Sequence, residues 1–301
     1  MKKYLFVLLA FVLVACGNSC QKFAGDPVSK NFAVGGYYTA IEVQDAFDVT
    51  VSDEVDSITI TVGERVMPNV IVEVVDNTLK IYLKSVGSLY GGEQKAIIPF
   101  NADLTKVDLS GASEFHTTYG LEAEEVEVEL SGASEFYGDI TADEVDFDLS
   151  GSSSFTGNVN TYDVDIEMSG ASDYKGDILS DKIKMDLGGS SEIVGNVTAD
   201  NLELDLSGAS DAKLTGNVGM LKINLAGASN IIKQVVGNGY ALVCDGCEGL
   251  MSGASEAYIH CDGRICVDLS GASHLHYTGD GNYSGCSTTS GGSSIIGPDH
   301  P

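Results

Sequence analysis

The sequence predicts an all-β fold, a right-handed parallel β-helix of about ten coils with roughly 19 residues in each. The main observation is a Ser-Gly-Ala-Ser tetrad, or a close variant of it, that recurs ten times, mostly 19 residues apart. A short repeat at a fixed period is typical of a solenoid, in which each coil buries its apolar face only against its neighbours. The tetrads begin at Ser110, Ser131, Ser150, Ser169, Gly188, Ser207, Ala226, Ser252, Ser270 and Ser290.

A short segment of alternating apolar and charged residues precedes most of the tetrads. Before Ser150, for example, the apolar residues from Val145 to Leu149 alternate with Asp146 and Asp148. A period of two predicts a strand with one buried face. No coil has apolar residues three and four positions apart, so helices are not expected.

Stacking would turn each position of the repeat into a ladder along the coils. The glycine of each tetrad suits a tight bend, because glycine tolerates a positive φ. The serines are expected to form hydrogen bonds from side chain to side chain along the axis. An aromatic ladder, five residues after the start of the tetrad, is expected to fill the bore: Phe115, Phe136, Phe155 and Tyr174.

The first 37 residues predict export rather than a folded element. Residues 1–15 combine Lys2 and Lys3 with an apolar run that is too short to span a bilayer, as in a signal peptide. The run ends in Leu-Val-Ala followed by Cys16, which resembles a bacterial lipobox and implies lipidation of Cys16. The predicted location is therefore the cell envelope. Gly17, rather than an aspartate, follows the cysteine, and by resemblance to the sorting of Gram-negative lipoproteins this favours a lipid anchor in the outer membrane, with an undetermined leaflet. Residues 16–37 are expected to form a tether.

The remaining chain divides into two regions. Residues 38–104 lack the tetrad but alternate like strands, and are expected to form a β-sheet cap that covers the open edge of the helix. Residues 105–296 contain the β-helix repeats.

The protein is strongly acidic, with a formal net charge of −28, so nucleic acid is not expected as a partner. Acidic residues also recur two positions before successive tetrads. This acidic ladder predicts either a solvated face that opposes aggregation or a surface that binds a divalent cation weakly or a basic partner. Its members are Asp108, Glu129, Asp148, Glu167, Asp186 and Asp205.

The cysteines cluster in the last third of the chain, where the spacing of the tetrads becomes irregular. Equivalent repeat positions predict two disulfides between adjacent coils, Cys244–Cys261 and Cys266–Cys286, because neighbouring strands bring Cα atoms within bonding range. Cys247 could pair with Cys266 or stay free. The alternative is a zinc site, for which three nearby histidines could supply ligands: His260, His274 and His276.

No catalytic motif stands out, and no cofactor or metal site is predicted. Two Ser-x-x-Lys sequences start at Ser172 and Ser210, but both lie at a corner of the repeat rather than on a helix. Polysaccharide lyases also adopt β-helices, so a lyase-like enzyme is the alternative to a binding protein, as is a cation-binding envelope protein. The acidic surface would repel acidic polysaccharides.

The alternating N-terminal region, the serial Val-Asp-Leu-Ser-Gly-Ala-Ser coils and the lipobox together resemble the head GIN domain family of auto-transporter adhesins, which are common as lipoproteins of Bacteroidota. The resemblance covers roughly residues 38–296 and implies a right-handed β-helix in an exported, non-enzymatic protein. It implies adhesion, binding or scaffolding, with a glycan or an extracellular protein as partner. The oligomeric state stays open.

Overall fold

The structure is a computed structural model that describes residues 24–84, 92–236 and 239–298. Within these ranges the regular secondary structure is almost entirely β-strand, with a single 3-10 turn at Met67–Asn69. Parallel coils of about 19 residues stack into a β-solenoid of about ten turns, as the repeat predicts. No helix in the described ranges is long and apolar enough to cross a membrane.

The strands of the first, less regular part of the chain are β1 (Pro27–Phe32), β2 (Ala40–Val43), β3 (Asp48–Ser52), β4 (Ile58–Gly63), β5 (Val70–Val75), β6 (Thr78–Leu83) and β7 (Lys95–Pro99). The strands of the repeats up to the fourth coil are β8 (Lys106–Leu109), β9 (Glu114–His116), β10 (Leu121–Leu130), β11 (Glu135–Tyr137), β12 (Ile140–Leu149), β13 (Ser154–Thr156), β14 (Val159–Asn160), β15 (Asp163–Met168), β16 (Asp173–Lys175), β17 (Ile178–Leu179) and β18 (Lys182–Leu187).

The later strands are β19 (Glu192–Leu206), β20 (Asp211–Leu225), β21 (Asn230–Ile231), β22 (Val235–Val236), β23 (Gly239–Tyr240), β24 (Leu242–Met251), β25 (Glu256–Cys261), β26 (Ile265–Leu269), β27 (His274–Thr278) and β28 (Ser294–Ile296). The antiparallel pair β22–β23 occupies the longer gap between the tetrads at Ala226 and Ser252.

Each regular coil contributes to three parallel sheets. The first sheet precedes the tetrad and stacks β2, β8, β10, β12, β15 and β18 in order. The second follows the tetrad and stacks β3, β9, β11, β13 and β16. The third stacks the start of β12 on β14 and β17. One register is therefore kept from coil to coil, and it fixes which side chains share a surface.

The N-terminal region begins the same stack and then closes it. Strands β2 and β3 pair in parallel with the first repeat strands, β8 and β9. Strand β6 extends the first sheet beside β2, and β7 extends the second beside β3. Strand β5 then pairs antiparallel with β6, and β4 pairs antiparallel with β7. Strand β1 lies in the segment expected to be a tether, but it pairs antiparallel with β4. The described part of that segment thus contributes to the closing edge.

The tetrad corners differ from the sequence expectation in one respect. The last serine is buried in the first nine tetrads and half-buried in the tenth, and its hydroxyl donates to backbone carbonyls rather than to another serine side chain. Ser172 Oγ, for example, lies 3.1 Å from the Ser169 carbonyl and 3.2 Å from the Leu149 carbonyl of the previous coil. The hydroxyl therefore links the corner to the previous coil, whose Leu149 carbonyl also accepts the Ser169 N–H at 2.9 Å.

The bore is apolar and includes the predicted aromatic ladder. Phe115, Phe136, Phe155 and Tyr174 are fully buried, and neighbouring rings stack with centroids 4.9–5.4 Å apart. Tyr174 differs from the three phenylalanines because it carries a hydroxyl group. That hydroxyl has no hydrogen-bond partner among the described residues. Burial also raises the pKa of Tyr174, so the phenol stays neutral.

Replacing Tyr174 by Phe is expected to raise the free energy of unfolding by about 1 kcal/mol, because it removes a buried polar group that makes no hydrogen bond. Chemical denaturation would measure the change. Tyr137→Phe is the matched control, since the Tyr137 hydroxyl donates to Glu135 and its removal should bring no gain. A loss of stability in Tyr174→Phe would contradict the prediction.

Candidate binding surfaces

The acidic ladder runs along the outer surface of the first sheet. Its predicted members occupy successive register positions, and all are half-buried or exposed: Asp108, Glu129, Asp148, Glu167, Asp186 and Asp205. Like charges on adjacent strands repel each other. Burial, followed by the charges of Glu129 and Glu42, raises the pKa of Asp108.

Cationic side chains offset this repulsion only in part. Lys106 Nζ lies 2.8 Å from Glu129 and 2.9 Å from Glu127, and its hydrogen bond lowers the pKa of Glu129. In the middle of the ladder, no described lysine or arginine lies within 4 Å of the three carboxylates of Asp148, Glu167 and Asp186.

The ladder does not form a compact chelating group. Among the residues that the structure describes, it brings no three carboxylate oxygens within 4.8 Å of one another. A cation in a protein usually takes several oxygen ligands at once. The arrangement therefore produces a diffuse negative surface, which favours solubility and repels anionic polymers.

The cysteines form one disulfide and one thiol contact. Cys266 and Cys286 are bonded, with Cα atoms 5.1 Å apart, as their repeat positions predict. Cys244 and Cys261 are register partners on β24 and β25, but the structure holds them as free buried thiols. The expected second disulfide is therefore absent from the structure, which leaves both thiols buried in the apolar bore. Cys247 is also free and buried.

Among the described residues of this region, no three histidine, cysteine or carboxylate ligand atoms lie within 4.8 Å of one another, so the zinc alternative has no compact ligand set. A hydrogen bond to Cys261, followed by burial, raises the pKa of Cys244, and burial raises that of Cys247. The same hydrogen bond lowers the pKa of Cys261. The three histidines bond elsewhere: His260 to Thr278, His274 to Ser294 and His276 to Glu256. Cys16 and Cys20 lie outside the described residues.

The Ser-x-x-Lys sequences form no nucleophile–base pair. The Ser172 and Ser210 hydroxyls are buried and donate to backbone carbonyls. Lys213, which belongs to the second sequence, forms an ion pair with Glu192 at 2.5 Å. A serine whose hydroxyl is committed to the corner cannot be activated by that lysine.

A lateral groove, not anticipated from the sequence, follows the corner between the second and third sheets. It consists of two adjoining cavities of about 580 and 420 Å³ that share Asp139 and Thr141. Its polar lining is held in place by a ladder of side chain to backbone bonds. The Asn158 N–H donates to Asp139, that of Asp177 to Asn158, and that of Asn196 to Asp177, at 2.7–3.0 Å.

Aromatic side chains surround one end of the groove. His116 and Tyr137 line it and stack on each other, with ring centroids 4.6 Å apart and nearly parallel planes. Tyr119 also lines it, packs against Phe100, and donates its hydroxyl to Asp53 at 2.6 Å. The hydrogen bond to Glu135 raises the pKa of Tyr137 to about 12. Rigid aromatic rings beside hydroxyl, amide and carboxylate groups can bind a polar ligand with apolar faces.

The family comparison agrees with this architecture. The family model described as "Putative auto-transporter adhesin, head GIN domain" matches residues 37–180 and 165–281. A search of curated proteins finds no match.

The chain is similar to several solved structures of proteins from Bacteroidota. A putative adhesin from Parabacteroides distasonis is 18% identical with a TM-score of 0.50, and the match covers 91% of this chain and 94% of that one. A putative adhesin from Parabacteroides merdae is 16% identical (TM-score 0.44, coverage 91% and 96%). A protein named as a putative lipid binding protein, from P. distasonis, is 19% identical, with a TM-score of 0.44, and the match covers 91% of this chain and 97% of that one. Because the family model spans most of its length, the chain belongs to the head GIN domain family of putative auto-transporter adhesins.

Proposed function

We propose that the protein is a non-enzymatic binding module of the cell envelope, anchored by a lipid at Cys16, that holds a neutral glycan in the lateral groove. Membership of an adhesin family supports a role at the cell surface or in the envelope. The rigid stack supports a static binding surface, because its ladders fix each side chain along the rod.

The observation that carries the proposal is the composition of the groove. Tyr119 and Tyr137 supply flat rings at one end, and the ladder from Asp139 to Asn196 supplies carboxylates and amides beside them. Sugar rings offer apolar faces and hydroxyl groups, which match such a lining. The net charge of −28 favours a neutral ligand over an acidic one. The same charge disfavours the alternative function, a lyase that acts on acidic polysaccharides.

The groove is tested with a glycan and matrix-protein array, probed with and without Ca²⁺. We expect binding to neutral glycans, and Tyr119→Ala should weaken it at least tenfold because the stacking surface is lost. Tyr283→Ala is the matched control, since Tyr119 and Tyr283 are both 42% exposed but only Tyr119 lines the groove. Binding to matrix proteins alone would replace the glycan by a protein ligand, and degradation of polysaccharide would move the protein to the lyase class.

The anchor is tested separately. Cys16→Ser is expected to release the protein from the membrane fraction or to leave the precursor uncleaved, because the acceptor thiol is absent. Cell fractionation and intact mass measure both outcomes. Normal processing without an acyl mass on Cys16 of the unmodified protein would contradict the anchor.

A further inference from the structure

Three potential metal ligands converge on the outer surface of the second sheet, next to the lateral groove. The side-chain ligand atoms of Asp48, Glu114 and His116 all lie within 4.8 Å of one another. Among the described residues, no other group of three histidine, cysteine, aspartate or glutamate side chains meets this condition.

The sheet register places these residues together. Asp48 on β3 is the direct partner of Glu114 on β9, and Thr50 is the partner of His116. Glu114 and His116 are two positions apart on one strand, so their side chains leave the same face of the sheet. The three side chains therefore start from backbone positions that the stack holds fixed.

The distances suit coordination by one ion. His116 Nε2 lies 3.2 Å from Glu114 Oε2 and 3.8 Å from Asp48 Oδ1. Ligands at about 2.0–2.2 Å from a tetrahedral metal are separated by about 3.3–3.6 Å, so small side-chain rotations would bring all three into contact with an ion.

The imidazole is held in place, while the cluster remains open to solvent. The ring of His116 stacks on Tyr137, and Tyr137 is fixed in turn by its bond to Glu135. Side-chain exposures of 38–46% leave room for water or a ligand atom as a fourth ligand. His116 also lines the groove, so that fourth position borders the proposed binding surface.

The local charge also favours a divalent ion. The two carboxylates supply a charge of −2, which a divalent cation would neutralise. Asp48 also has Lys95 on β7 as a register partner, on the strand opposite to β9. The positive charge of Lys95 is offset by Glu93, which lies 3.3 Å from its Nζ. A nitrogen ligand beside two oxygens suits first-row transition ions better than Ca²⁺ or Mg²⁺.

We infer that Asp48, Glu114 and His116 form a binding site for a divalent transition-metal ion, with Zn²⁺ as the representative species. The inference does not depend on glycan binding, so failure of the array experiment would leave it intact.

Calorimetric titration of the purified full-length protein with ZnCl₂ tests the site. We expect one equivalent of Zn²⁺ to bind, and Asp48→Asn or His116→Ala to weaken that binding at least tenfold. Because these side chains are partly exposed, both variants should keep the thermal midpoint of the metal-free protein. Zn²⁺ should raise that midpoint in the unmodified protein only.

The C-terminal coils supply a matched control. His276 also bonds to a glutamate, Glu256, and stacks on a tyrosine, Tyr258, but it belongs to no three-ligand group. His276→Ala should therefore leave Zn²⁺ affinity unchanged. Unaltered binding in His116→Ala, an equal loss in His276→Ala, displacement of Zn²⁺ by equimolar Ca²⁺, or no Zn²⁺ binding at all would each overturn the assignment.

Discussion

Gly151→Ala is expected to lower the free energy of unfolding by about 2–5 kcal/mol. Gly151 has a φ of 78°, a left-handed conformation that disfavours any residue with a Cβ atom. A Cβ atom built there would lie 2.5 Å from the Gly132 carbonyl oxygen of the previous coil. That oxygen accepts the Ser152 N–H at 2.7 Å, so it cannot move aside without losing a bond between coils. Denaturant unfolding, followed by circular dichroism, would measure the loss.

Gly188 provides the control for this prediction, because it is the first residue of its tetrad, whereas Gly151 is the second residue of its own. Gly188 has no positive φ, and a Cβ atom there would meet its nearest atoms at 3.7 Å, an ordinary contact. Other coils carry Ser or Ala at this position. Gly188→Ala should therefore be neutral or slightly stabilising. Equal destabilisation by the two substitutions would mean that glycine is needed at the corner for some reason other than its φ and the close approach of the previous coil.

The repeat made the fold predictable because a period of about 19 residues constrains every coil in the same way. The alternating segments before each tetrad could only bury one face, and stacking then determined the register of the acidic and aromatic ladders. The serine bonds were mispredicted because the tetrad gives the residue types but not the direction of the carbonyl groups at a corner. Those carbonyls, rather than neighbouring serines, are the acceptors.

The candidate sites were less predictable because they depend on residues that do not repeat. Asp48 lies in the irregular N-terminal region, and only its pairing with Glu114 brings it to His116. The lateral groove depends on the angle between two sheets, which no residue pattern encodes. A sequence signal did exist for part of it: Asp139, Asn158, Asp177 and Asn196 recur at 19-residue intervals, which marks a polar ladder at a corner.

Removing the Cys266–Cys286 disulfide is expected to destabilise the C-terminal end of the solenoid by about 3 kcal/mol, the loop-closure contribution of a bond that spans 20 residues. Between β27 and β28, residues 279–293 pair with the previous coil only through isolated bridges, Asn282 to Arg264 and Thr289 to Leu269, before β28 resumes regular pairing. The disulfide thus holds a segment that lacks regular strand contacts.

The double variant Cys266→Ser/Cys286→Ser is preferable to a single one, because it leaves neither partner thiol to pair elsewhere. Amide hydrogen exchange should lose protection first in residues 282–296, since local opening no longer requires breaking a covalent link. Protection in the regular coils around the aromatic ladder should stay close to that of the unmodified protein. A reducing agent should produce the same change in the unmodified protein and none in the double variant. Peptide mapping without reductant should recover Cys266 linked to Cys286, and a link from Cys266 to Cys247 would contradict both the pairing and the local opening.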